Sequence, residues 1–76
     1  MSKDIQKVNG FFKSALKSDV DSIKEKILLS ERQDKIFDMF YLKRQDIGFI
    51  ADTLYVSVSV INSELKIIRN KMLRVI

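Results

Sequence analysis

Ten carboxylates, fourteen cationic side chains and a scatter of amides and hydroxyls make up most of the chain's reactive groups, because it has neither histidine nor cysteine. Disulfides are therefore impossible, the usual zinc ligand sets are absent, and Cys–His or Ser–His nucleophilic pairs cannot be assembled. The carboxylates stand in no acid–base or metal pattern. Asp19 and Asp21 form an isolated D-x-D, but the glycine and distal glutamate of a calcium loop do not follow, and the pair reads as the start of a helix. No metal, no cofactor and no enzymatic activity is expected. What remains is recognition chemistry. Val58, Ser59, Asn62, Ser63 and Lys66 recur at i, i+1, i+4, i+5 and i+8, which places them on one outward face of a helix.

The charge is unevenly placed. The net charge is +4, from fourteen basic and ten acidic residues. Residues 65–76 hold Lys66, Arg69, Lys71 and Arg74 and no acid, while the other ten basic residues balance the ten acids of residues 1–64. The excess therefore sits wholly in the C-terminal segment, as an anionic partner would require. Seventy-six residues make one small domain with a thin core and little room for an enclosed catalytic pocket. The opening MSKDIQKVNGFF has no apolar run long enough for a signal peptide, and no stretch is long enough to span a membrane. A cytoplasmic location and no membrane partner are expected.

With no proline and only Gly10 and Gly48, the chain reads as helices joined by short turns. Ile5, Val8, Phe12 and Ala15/Leu16 have helical spacing over residues 4–17, although Asn9-Gly10 also favours a turn. Val20, Ile23, Ile27 and Leu28 mark a helix over 19–29, with Ser18 as its cap and Asp19 and Asp21 in its first turn. Ser30-Glu31-Arg32-Gln33 has capping-box form, with Leu29 placed as a hydrophobic staple. The apolar stripe Ile36, Phe37, Phe40 and Tyr41 follows, and Lys43-Arg44-Gln45 ends that helix. Asp46 caps a short helix over 46–54 with Ile47, Ile50, Ala51 and Leu54 inward. Ser57 caps a last helix over 58–73 that buries Val60, Ile61, Leu65, Ile68 and Met72. Residues 53–61, TLYVSVSVI, fit a β strand better when taken alone, by alternation and by valine's propensity. No second strand exists to pair with it, and the helical period continues from Val60 to Leu73, so a helix is expected. Phe37, Phe40, Tyr41 and Phe49 are expected in the core.

A helix of about eight residues, a short turn and a second helix with a polar outer face have the layout of a helix-turn-helix. In the segment from Leu29 to Leu73, the residues Leu29-Ser30-Glu31-Arg32-Gln33, Tyr41-Leu42, Ile50-Ala51 with Leu54, Val56-Ser57, and Val60-Ile61 with Ser63 and Leu65 fall at matching offsets. This segment resembles sigma-factor region 4 and the related sigma-like and LuxR-type DNA-binding domains. The likeness covers about 45 of the 76 residues. It implies an all-α fold, a small helical domain with a C-terminal helix-turn-helix over 29–76. Residues 1–28 would form an N-terminal helical segment that either completes the core or makes a dimer interface. The chain departs from the family in three places. Tyr55 stands where the turn usually has glycine, Glu64 lies on the last helix where phosphates would approach, and Gly48 sits inside the preceding helix.

By this resemblance, Val58, Ser59, Asn62, Ser63 and Lys66 are the base-reading face. Asn62 is foremost, because its amide can pair bidentately with adenine, and Val58 suits a thymine methyl. Ser63 has a packing role as its alternative. Lys43, Arg44, Ser57 and Arg69, with Lys66, are the phosphate candidates. The implied function is sequence-specific double-stranded DNA binding by a small bacterial or phage transcriptional regulator. A homodimer is expected, since one recognition helix gives little specificity alone. The alternative is a protein-interaction module that mimics sigma region 4 and binds RNA polymerase or another regulator.

Overall fold

A computed structural model describes residues 3–76. The protein is all-helical, and among the described residues there is no strand. Helix α1 spans Lys3–Ser14, α2 Lys17–Ile27, α3 Glu31–Phe37, α4 Ile47–Leu54 and α5 Val58–Leu73, with a π-helical turn at Asp38–Leu42 directly after α3. The described chain falls into two compact units. One is the chain up to Leu28 together with Arg69–Ile76, and the other is Leu29–Ile68.

In the first unit, α1 runs unbroken through Asn9-Gly10, so the turn tendency of that pair is overridden. The break to α2 comes at Ala15-Leu16. Ser18, expected as the cap of α2, lies inside the helix instead, and Leu16 occupies the cap position. The reason is Asp19, whose Oδ2 accepts the Leu16 N–H at 3.0 Å and so satisfies a donor one turn earlier. Val8, Val20, Ile23, Ile27 and Met72 are buried, each such burial stabilising the fold by about 1.5–3 kcal/mol. Leu16 and Leu28 were expected on apolar stripes but are 69% and 79% exposed. Leu28 leaves α2 in the left-handed region, with φ 49°, which turns its side chain off the helical stripe. Its carbonyl accepts the Lys71 ammonium at 3.2 Å, supplying a partner at a helix C-terminus where carbonyls have none within the helix.

The second unit opens with the capping box read from sequence. Ser30 Oγ accepts the Gln33 N–H at 3.2 Å, and Gln33 Oε1 accepts the Ser30 N–H at 3.1 Å. Gln33, Ile36 and Phe37 are buried. The helix does not continue as α through Tyr41. After Phe37 the hydrogen bonds lengthen their reach, so that the Lys43 N–H donates to the Asp38 carbonyl five residues back at 2.9 Å. Gln45 N–H reaches the Met39 carbonyl at 2.9 Å, and Arg44 closes the segment with φ 54°. The wider turn sets Phe37 and Tyr41 rings 5.5 Å apart and Phe40 and Tyr41 rings 5.0 Å apart, the latter edge to face. Phe37 is fully buried, and Phe40 and Tyr41 are half-buried.

Candidate nucleic-acid interface

Two helices in the second unit carry the residues of interest, and their caps fix where each begins. Asp46 Oδ2 accepts the Gly48 N–H at 2.9 Å and starts α4. A Cβ on Gly48 would stand 2.9 Å from that same oxygen, so the glycine lets the carboxylate close over the helix end. Ile50 and Ala51 are buried, and Ile47 and Leu54 half-buried. Ala51 offers a small surface on the inner side of α4.

The turn from α4 to α5 is Tyr55-Val56-Ser57. Tyr55 takes the left-handed conformation, φ 58° and ψ 42°. Its N–H reaches the Asp52 carbonyl at 3.3 Å, and the Val56 N–H reaches Ala51 at 3.0 Å, which is the paired bonding of a Schellman motif. Tyrosine thus occupies the left-handed position that glycine usually fills. Its ring is 95% exposed, so nothing packs on it to offset the backbone penalty. Ser57 Oγ then accepts the Val60 N–H at 3.2 Å and opens α5.

Along α5, Ile61, Leu65 and Ile68 are buried at i, i+4 and i+7, and Val60 and Glu64 are half-buried beside them. The opposite face carries Val58, Ser59, Asn62, Ser63 and Lys66, every one exposed. From Val58 to Lys66 this face is about 12 Å long at 1.5 Å per residue. The residues assigned from sequence are therefore brought onto one solvent-facing side. Lys43 and Arg44 are exposed at the end of the π-helical turn, and Ser57 is exposed in the inter-helix turn. The Ser57 oxygen already accepts the Val60 N–H, so it can serve a further acceptor only through its hydroxyl hydrogen. Arg69 is half-buried and lies one turn beyond Lys66 on the same helix, in line with Asn62 and Lys66 at i+7 and i+3.

Phe49 was expected in the core but is 54% exposed. The helical period already contained this result. With Ile47, Ile50, Ala51 and Leu54 inward, position 49 falls on the far side of α4. Phe49 and Tyr55 are thus two exposed aromatic side chains on α4 and the turn that follows it.

No group of three or more acidic, histidine or cysteine side chains is placed to hold a metal ion among the described residues. None of their helices is long and apolar enough to cross a membrane. No protein-family model matches the chain, and comparison with the curated proteins and with solved structures finds no match.

Proposed function

We propose that this chain binds double-stranded DNA sequence-specifically, with the exposed face of α5 in the major groove, and acts as a small transcriptional regulator. The observation that carries this reading is the sequence Val58, Ser59, Asn62, Ser63 and Lys66 displayed outward on α5 while Ile61, Leu65 and Ile68 anchor its other side. A face about 12 Å long on a helix of ordinary diameter suits a major groove about 12 Å wide. In this reading Asn62 pairs with adenine N6 and N7, Val58 meets a thymine methyl, and Ser59, Ser63 and Lys66 add further base-edge contacts. Lys43, Arg44 and Ser57 hold phosphates and set the register, with Arg69 as a further phosphate contact.

Selection of bound sequences from random duplexes, followed by fluorescence-anisotropy titration, tests the proposal. The expected result is one enriched sequence bound tightly at low salt, with the preference lost on Asn62→Ala and binding lost on Lys66→Glu. A second reading is favoured by one specific observation, the exposure of the Phe49 and Tyr55 rings. It makes the chain a protein-interaction module that engages RNA polymerase or another regulator through that aromatic pair. Absence of binding to any duplex at low salt, with capture of polymerase abolished by Phe49→Asp, would select this second reading over the first.

A further inference from the structure

In the unit formed by the chain up to Leu28 and Arg69–Ile76, an open groove of about 340 Å³ is lined by residues of α1, α2 and the segment after α5. Phe11 and Val75 form apolar walls, and Ile23 lies at the floor. Ile23 is 5% exposed, whereas Val75 is 41% exposed. Asp19, Ser22, Lys26 and Ile76 complete the lining. Asp19 and Lys26 are seven residues apart, so they lie on one face of α2, about 10 Å apart along its axis. Ser22, small and polar, stands between them.

This arrangement is charge-antisymmetric about its centre, near Ser22 and Ile23. A two-fold axis through that point sets Asp19 of one chain against Lys26 of a second copy, and Lys26 against Asp19, in one operation. A parallel alignment would instead set like charges together, which selects the antiparallel one. Asp19 already gives Oδ2 to the Leu16 N–H, and its second oxygen can accept an ammonium. Ser22 at the centre lets the two α2 backbones approach, and the Phe11 and Val75 walls supply apolar area to bury. We infer that this groove is the docking surface for a second copy of the chain, paired antiparallel through α2. The surface is small, so the dimer forms weakly, in the range of transient interfaces.

The test is sedimentation of the full chain without DNA, from about 1 μM to about 500 μM, bracketing a weak association. The wild type is expected to pass from monomer to dimer across that range. Lys26→Asp places two acids opposite two acids and is expected to weaken dimerisation at least about tenfold. Asp19→Lys does the same with bases, and mixing the two variants restores a heterodimer in which every pair is again opposite. Ser22→Arg blocks the close approach and yields monomer. Circular dichroism melts verify that each variant folds. Should Asp19→Lys unfold through loss of its bond to Leu16, Lys26→Asp and Ser22→Arg decide the matter alone. A wild type that stays monomeric throughout overturns the inference, as does a Lys26→Asp or Ser22→Arg chain that dimerises as well as the wild type. Because no DNA is present, failure here leaves the DNA-binding proposal standing, and failure of that proposal leaves this one standing.

Discussion

Tyr55 shows most directly how one residue can oppose its own backbone. Holding a bulky L-residue at φ 58° costs about 1–2 kcal/mol, and the exposed ring recovers little by packing. Tyr55→Gly is therefore expected to stabilise the protein by about 1 kcal/mol, read from the midpoint of urea unfolding at unchanged slope. A neutral or destabilising result would mean that the ring has a folded-state partner. Asn62 raises the opposite question, since it is exposed and contributes little to folding. Asn62→Ala is expected to leave the melt unchanged while weakening binding to the selected duplex by about 1–3 kcal/mol and sparing non-specific binding. Equal loss on every duplex would assign Asn62 to backbone contact.

At the scale of the element, the helix starts are set by side chains that satisfy orphaned amides. Ser30 and Ser57 each accept the N–H three residues on. Ser30→Ala is expected to lower stability by about 1 kcal/mol, measured by thermal or urea unfolding, and to leave DNA affinity unchanged, because Ser30 is not among the residues assigned to the DNA contact. Ser57→Ala is expected to cost a similar amount in the melt. At Gly48 two effects of like size oppose each other. Alanine gains about 1 kcal/mol of helix propensity but crowds the Asp46 carboxylate, whose cap is worth about 1 kcal/mol. Gly48→Ala is therefore expected to be nearly neutral, and a full gain of propensity would show that the cap can rearrange freely. Residues 58–60, Val-Ser-Val, have the local pattern of a strand yet open α5, since burial of Ile61, Leu65 and Ile68 on one helical side outweighs a propensity difference of tenths of a kcal/mol per residue.

At the scale of the molecule, the charge excess decides how binding responds to salt. Each phosphate contact adds about 0.9 to the slope of log K against log salt. Lys43→Gln and Lys66→Gln are each expected to reduce the slope by about that amount if they meet phosphates, whereas Lys7→Gln on α1, exposed and outside the proposed face, should leave it unchanged. An identical slope in all three variants would remove the phosphate assignment. A chain of this size buries only about 60% of its unfolded surface, so a loss of even 1–2 kcal/mol in a cap or core residue is a large share of its stability.

The helical class, the positions of the five helices to within a few residues, and the inward set from Ile50 to Ile68 were legible because each rests on local physics. A 3.6-residue apolar period, a Ser-x-x-Gln box and an Asp or Ser before an apolar run act over one or two turns. The outward placement of Val58, Ser59, Asn62, Ser63 and Lys66 followed from the same period. Three features needed the folded chain. The π-helical turn at Asp38–Leu42 breaks the α period within an apolar stripe whose spacing, Ile36, Phe37, Phe40 and Tyr41, reads as ordinary helix. The cap of α2 shifted to Leu16 because Asp19 folded back on its N–H, a choice between two adequate local solutions. Lys71 meets the Leu28 carbonyl across 43 positions of sequence, a partner that no local pattern names. Local period and capping fix elements because their interactions are short-ranged in the chain. Which elements share a core, and so which cations stand together, is settled only by contacts between residues far apart in sequence.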